Sequence, residues 1–292
     1  MATTASRLAG RSLAPPATVT RQVAGRDSWE LARARPNEAL RPFVREYVGW
    51  TEQLSQPLRR TESPTDEVPL IINFGAPFRL FAPGTSTRSV ELTSFLTGAY
   101  DTYQIVESVG HTHGVQVNFT LLGMRLLAGR PIEDMTNRAL APDDLFGAFA
   151  HEFAGRLYDA PSWEARFDYL DRILSVKLQG IRDLPAGVRS AWEQLLRSSG
   201  QIRIQALARD IGWSHRHFIA QFRHELGVSP KAFSRMLRFG RFARAVQRGD
   251  VASLADGAVQ YGYYDQSHLS RDARAFAGTT PGELLKRVSG GH

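Results

Sequence analysis

Apolar positions along this chain follow two periods, and the switch between them divides it. Between Val68 and Leu122 they fall in short β-rich runs, VPLIINFGAPFRLF, SVELTSFLTG, TYQIVESVG and HGVQVNFTLL, punctuated by Gly, Pro, Asn or Asp. Runs of this length and number predict a small antiparallel sheet or open barrel. Beyond them the spacing turns helical. GMRLLAG (123–129) predicts a short helix. Leu145, Phe149, Phe153 and Leu157 recur at four-residue steps, and Trp163, Phe167, Leu170, Leu174 and Leu178 form a second stripe behind Ser162. Two such amphipathic segments predict a helical hairpin, either packed inside the monomer or offered as a dimer or interdomain surface. Upstream, Leu40, Phe43, Val44, Tyr47 and Val48 in PNEALRPFVREYVGW also sit at helical spacing, so folded structure is expected to begin near Pro36 with a helix.

The C-terminal third carries one plan twice, after a helix around 188–197. In IRIQALARDIGWSHRHFIAQFRHELGVSP, Ile204, Leu207, Ala208 and Ile211 make one apolar face. Gly212 permits a tight turn, and Ser214 can cap a second helix. Phe218, Phe222 and Leu226 then step toward a core, leaving His215, Arg216, Ile219, Ala220 and Arg223 outward. The plan recurs in SLADGAVQYGYYDQSHLSRDARAFAGTTP. Leu254, Ala255, Ala258 and Val259 supply the first helix, Gly262 the turn, Asp265 the cap, and Leu269 with Phe276 the inward face. Gln266, Ser267, Ser270 and Arg271 remain outward, with Arg274 beside them.

A single helix is predicted to join these halves. Ser229 can cap it, Pro230 suits its first position and Gly249 follows its end. Phe233, Leu237, Ala243 and Val246 give it an apolar stripe, and Lys231, Arg235, Arg238, Arg241, Arg244 and Arg248 recur on the remainder. At about 1.5 Å per residue it spans roughly 30 Å, close to the ~34 Å of one B-DNA turn, so both second helices can enter successive major-groove segments. Outward Arg can pair with guanine and Gln with adenine, while other basic side chains hold phosphates.

Composition sharpens this division. The chain's 292 residues suffice for two domains with cores of their own. No stretch of it is apolar enough to predict a membrane helix, and it has no cysteine, which removes disulfides, zinc ribbons and thiol catalysis from consideration. The net charge of +7 is uneven. From Val188 onward there are 16 Lys and Arg against 8 Asp and Glu, whereas the preceding part holds 20 against 21. The basicity belongs to the repeated helical region, as expected of a part that meets a polyanion. Residues 1–30 carry Arg7, Arg11, Arg21 and Arg26 with no acid before Asp27 and no apolar core of a signal peptide, and predict a disordered basic tail. The expected domains are therefore that tail, a β-rich unit with its helical hairpin over 36–180, and a helical unit over 187–290.

Candidate chemistry in the first half is sparse. His111 and His113 in VGHTHGVQVNF lie one residue apart on a predicted strand and face the same way, as two metal ligands would. Metal-binding cupin barrels follow such a pair with a glutamate a few residues on, but here the next is Glu133. There is no GxSxG, GxxxxGK[ST] or GxGxxG motif, and Asp143 with Asp144 precedes a helix, where capping accounts for the pair. No catalytic site, metal or cofactor is expected. Phe74, Phe78, Tyr100 and Phe119 are candidates for a pocket lining, with core packing as the competing use.

The repeated region resembles the DNA-binding domain of AraC/XylS-type transcriptional regulators. The residues that carry the resemblance are I-x-x-LA-x-x-x-GWS-x-x-x-F-x-x-x-F-x-x-x-x-G-x-SP from Ile204 to Pro230, GYYDQSHLSR from Gly262 to Arg271, and G-x-TP from Gly278 to Pro281. It implies an α+β protein: a small cupin-like β-rich sensor domain followed by an all-α domain of two helix-turn-helix units and a linker helix. It implies that Arg216, Ile219 and Ala220 in the first unit and Gln266, Ser267, Ser270 and Arg271 in the second read bases, with His268 near the DNA backbone. Ala273 stands where family members usually bury a Phe, so the second unit is expected to pack less tightly. P-x-x-x-LRPFV-x-x-Y-x-x-W, PLIINFG and GVQVNFTLLGMRLLAG resemble the family's sensor halves more loosely. The implied partners are double-stranded promoter DNA, a small-molecule effector, RNA polymerase and a second copy of the chain, in a cytoplasmic protein. A cupin-like small-molecule-binding protein or metalloenzyme with a DNA-localising tail is the alternative.

Overall fold

The computed structural model describes residues 17–82, 85–178, 184–251 and 253–289. Among the described residues, nine antiparallel strands build the first half: β1 (Thr18–Ala24), β2 (Asp27–Ala34), β3 (Val44–Glu62), β4 (Glu67–Asn73), β5 (Phe78–Phe81), β6 (Ser89–Leu92), β7 (Phe95–Thr97), β8 (Gln104–Thr120) and β9 (Ala139–Leu140). Their order in the sheet is β1-β2-β3-β8-β4-β7-β9, with β5 bridging β6 and β8. α1 (Leu121–Ala128) follows β8 directly, with Thr120 accepting from the Gly123 N–H as its cap. α2 (Asp143–Phe146), α3 (Phe149–Asp159) and α4 (Trp163–Lys177) complete this part.

The second half is helical. α5 (Ala186–Arg197) precedes α6 (Ile204–Asp210) and α7 (His215–Leu226), α8 (Pro230–Arg248) is the linker, and α9 (Leu254–Gln260), α10 (Gln266–Ala277) and α11 (Pro281–Ser289) close the chain. The β-rich-then-helical architecture is the one expected.

Three expectations from sequence are corrected. The tail assigned to 1–30 is folded from Thr18 onward: β1 and β2 form a hairpin whose second strand pairs with β3, and Arg21 reaches across to Glu30. Arg7 and Arg11 lie outside the described residues, as does the domain boundary at 180. The predicted helix near 36–50 is a short 3₁₀ turn, Glu38–Leu40, running into the 19-residue β3. Its apolar spacing is helical, but both faces of the strand are covered, Tyr47 on the core side and Val48 on the cavity side, and long pairing with β8 on one side and β2 on the other decided for the strand. The first hairpin helix is split into α2 and α3 at Gly147, whose φ of +55° a helix does not accommodate.

The sheet has two unlike faces, as period-2 alternation requires. Ala32, Ala34, Tyr47, Leu70, Ile72, Val115, Val117 and Phe119 are buried beneath α1 and α4. Here Phe167 stacks on Tyr47 at 5.7 Å, and the Trp163 indole lies against Gly49, where any Cβ would collide with it. Asp171, fully buried on α4, accepts from the Tyr47 hydroxyl at 2.8 Å and from the Asn37 N–H. The hairpin therefore packs inside the monomer. The opposite face lines a cleft.

Candidate DNA-reading surface and sensor cavity

Both helix-turn-helix units are built as their residues dictate. Gly212 and Gly262 take φ of +72° and +81° at the turns, a conformation that costs a side chain with Cβ. Ser214 caps α7 by accepting from the His217 N–H, and Asp265 caps α10 by accepting from the His268 N–H at 2.7 Å. Phe218, Phe222, Leu226, Leu269 and Phe276 are fully buried. Of the nominated readers, His215, Arg216, Ala220, Arg223, Gln266, Ser267, Arg271 and Arg274 are exposed, while Ile219, His268 and Ser270 are half-buried. Ala273 is fully buried in a core that Phe239 and Phe276 fill beside it, with ring centres 5.5 Å apart. One neighbour of these readers escaped the sequence reading. The second turn holds one residue more than the first, Tyr263 filling the place of Trp213 and Tyr264 being extruded to 90% exposure.

The arginines of α8 depart from a free basic face. Arg235 pairs with Asp272 at 2.8 Å and lies over the Phe276 ring. Arg238 donates to the Gly200 carbonyl and faces Tyr263, and Arg241 faces Tyr261. These cations staple the second unit to the linker rather than waiting for phosphate.

The C-terminal ends of both second helices are held by the β domain. Arg125 of α1 meets Glu225 of α7 at 2.6 Å, both side chains being less than 10% exposed. Thr136 donates to the Gly227 carbonyl at 2.6 Å, and Glu133 pairs with Arg223 at 3.2 Å. At α10, the Thr102 hydroxyl and the Tyr103 N–H both donate to the Ala275 carbonyl, at 2.8 and 3.1 Å. Helix C-termini leave such carbonyls without intrahelical partners, which makes them natural docking points.

The cleft on the exposed sheet face is a cavity of ≈ 690 Å³. Residues as far apart as Val48 and Arg60 of β3 line it. The β3–β8 ribbon can bring them together because it breaks register between Leu54 and Leu58, opposite Gly110, and bends there. Phe78 and Tyr100 line the cavity, as one of their two expected uses foresaw; Phe119 is buried on the other face, and Phe74 packs against His113 and Tyr158.

His111 and His113 lie with ring centres 4.9 Å apart. Burial, then His111 and Arg166, hold His113 below the ordinary histidine range, so it is neutral near pH 7. No group of three or more His, Cys, Asp or Glu placed to hold a metal occurs among the described residues. No helix among them is long and apolar enough to cross a membrane.

Residues 207–287 match a helix-turn-helix domain family. No curated protein matches the chain in sequence. Among solved structures, an apo variant of ToxT from Vibrio cholerae is 12% identical, with 82% of this chain and 96% of that one covered at a TM-score of 0.46. ToxT from the same organism with bound unsaturated fatty acid is 13% identical over 82% and 98%, at 0.45. The AraC-like transcriptional activator CuxR is 14% identical over 78% and 80%, at 0.25. The matched family, the paired units and the signature residues they bear agree that the C-terminal part is a helix-turn-helix domain, as the resemblance to AraC/XylS-type regulators implied, and this supports a DNA-binding transcriptional regulator.

Proposed function

We propose that this regulator reads two adjacent major-groove segments with α7 and α10, and that a small molecule in the sheet cavity controls how freely it does so. The observation that carries this reading is the pair of docking contacts. Both second helices expose their N-terminal halves, where all the proposed readers but Arg223 and Arg274 lie, while the β domain holds their C-terminal ends. The Gly98–Tyr103 segment links the two functions. Gly98 and Tyr100 line the cavity, and Thr102 and Tyr103, a few residues on, hold Ala275 of α10. A ligand that reshapes the wall at Tyr100 would act on that hold, and allosteric control requires the hold to have a second, released state.

His215, Arg216, Ile219, Ala220 and Arg223 in the first unit, and Gln266, Ser267, His268, Ser270, Arg271 and Arg274 in the second, form the proposed DNA surface. Arg223 is the exception within it, because Glu133 engages it in the docked arrangement. Dimerisation and contact with RNA polymerase are further proposals that stand on the family resemblance alone.

Selection of bound sequences from random duplexes by the full chain, followed by affinity at several salt concentrations, tests the reading. The expected motif has two half-sites about 10 base pairs apart, with affinity falling steeply as salt rises. A single half-site would overturn the two-segment reading. Absence of any enriched motif, for the wild-type chain and equally for a chain with its docking contacts weakened by Thr102→Ala and Thr136→Ala, would overturn sequence-specific reading altogether.

A further inference from the structure

The cavity's lining is chemically one-sided. Four carboxylates face it, from Glu46, Glu52, Glu62 and Glu67, against two guanidinium groups, Arg33 and Arg60. Both arginines are already engaged. Arg33 donates twice to Glu46, at 2.8 and 3.0 Å. Arg60 bonds Glu52, which also accepts from Trp29 and Ser108 at 2.9 Å. Glu62 and Glu67, flanking the short β3–β4 connection, form no ion pair among the described residues. Arg45, next to Glu67, is bonded to Asp66 instead, so Arg60, Arg45 and Arg244 moderate the two free carboxylates only at longer range. Burial, then Asp66, push Glu67 up to about 7, so the empty cavity ionises it reluctantly.

Two further features point to an occupant. Thr97 on β7 lines the cavity and is 3% exposed, yet its hydroxyl has no hydrogen-bond partner. Buried hydroxyls in folded proteins are nearly always satisfied, by protein, water or ligand. Beside it stand aromatic walls: Trp50 and Phe78 lie 6.0 Å apart, Phe95 meets Phe78 edge-on at 6.1 Å, and Tyr100 adds its ring.

We propose that this cavity binds an amphipathic organic cation, its apolar body against Trp50, Phe78 and Phe95, and its amine or quaternary ammonium group answered by Glu62 and Glu67. The proposal rests on the reading of the cavity as the effector site and adds the chemical class. A carboxylate ligand would add an anion beside two carboxyl groups that already lack an ion-pair partner and whose ionisation is already disfavoured. A cation supplies the missing countercharge and gains from the faces of Trp50 and Tyr100. The volume is within the usual range for small-molecule sites, roughly 300–1,000 Å³.

Tetraphenylphosphonium and tetraphenylborate, nearly equal in shape and opposite in charge, separate charge from size. Calorimetric titration of the full chain is expected to show saturable binding of the cation, at least about tenfold tighter than the anion, and about tenfold weaker cation binding once Glu62→Gln and Glu67→Gln remove the free carboxylates. A thermal melt establishes that this variant is folded. Equal or tighter binding of the anion, or unchanged cation affinity in the folded double variant, would overturn the proposal. Neutral triphenylphosphine oxide distinguishes the two levels of failure. If it or the anion binds and Trp50→Ala abolishes that binding, the cavity is a ligand site of another class; if none of the three probes binds, the effector site is lost along with its chemistry.

Discussion

At the scale of single residues, exposure and partnership divide the basic side chains into proposed readers and observed fasteners. Arg271 is exposed on α10, with no ion pair among the described residues. Arg271→Ala is expected to cost about 1–3 kcal/mol on the selected site and to relax one base preference, because a bidentate guanine contact carries that much discrimination. Arg244 is exposed too, but it lies within electrostatic reach of Glu67 in the β domain. Arg244→Ala is therefore expected to leave affinity for specific and random duplexes within about twofold of wild type, as usual for a screened surface charge. Competition binding at one salt concentration checks both. Glu67 gives a pH prediction of definite sign. Its folded pKa, about 7, lies above its ordinary 4.5, so the native chain binds more protons than the unfolded one between those values, and stability falls as pH rises through that window. Glu67→Gln is expected to raise the melting temperature at pH 8 and to lose that advantage towards pH 4. Melts across that range would show a parallel pair of curves if Glu67 were ordinary. The caps Ser214 and Asp265 were legible in the sequence, because capping is local chemistry. Tyr264 was not, since its exposure follows from aligning one turn against the other.

At the scale of elements, legibility followed the range of the forces involved. Every helix from α5 to α10 was readable, since caps, turn glycines and four-residue stripes are all encoded within a dozen residues. β3 was misread because its apolar residues fit a helix locally, and only its partners β2 and β8, distant in sequence, select the strand. The hairpin of β1 and β2 was hidden by basic composition; Arg21 and Arg33 are instead cross-strand partners of Glu30 and Glu46. The arginines of α8 likewise read as a solvated face, because Asp272 and the rings of Tyr261, Tyr263 and Phe276 arrive from elements far along the chain. The α1–α7 contact was invisible for the same reason, and it makes an element-level prediction. Arg125→Met would leave Glu225 charged and buried without its partner, which costs roughly 3–5 kcal/mol, whereas the double variant Arg125→Met with Glu225→Met is expected to recover most of that loss. Urea unfolding of the two variants measures the difference. Equal destabilisation by both would mean that packing around α1, rather than the ion pair, is what the single substitution disturbs.

At the scale of the whole molecule, the cavity and the proposed DNA surface lie at two ends of the segment from Thr97 to Gln104, and any coupling through it is reciprocal. If an occupant of the cavity loosens the hold of Thr102 and Tyr103 on Ala275, it raises DNA affinity by some factor, and specific DNA must then tighten the occupant by the same factor. If it strengthens the hold, both affinities fall together. A coupling of 1–3 kcal/mol, about 5–150-fold, is typical of such linkage. The measurement is tetraphenylphosphonium affinity with and without saturating specific duplex, set beside duplex affinity with and without the cation. The two ratios are expected to agree, and Thr102→Ala is expected to shrink both, because it removes one of the two donors on Ala275 without touching the cavity wall. Ratios of one in both directions would mean that the sheet cavity and the reading helices share a chain but no equilibrium. Ratios that agree but survive Thr102→Ala would move the connection from α10 to the contacts of Arg125, Glu133 and Thr136 on α7 and its C-terminal cap.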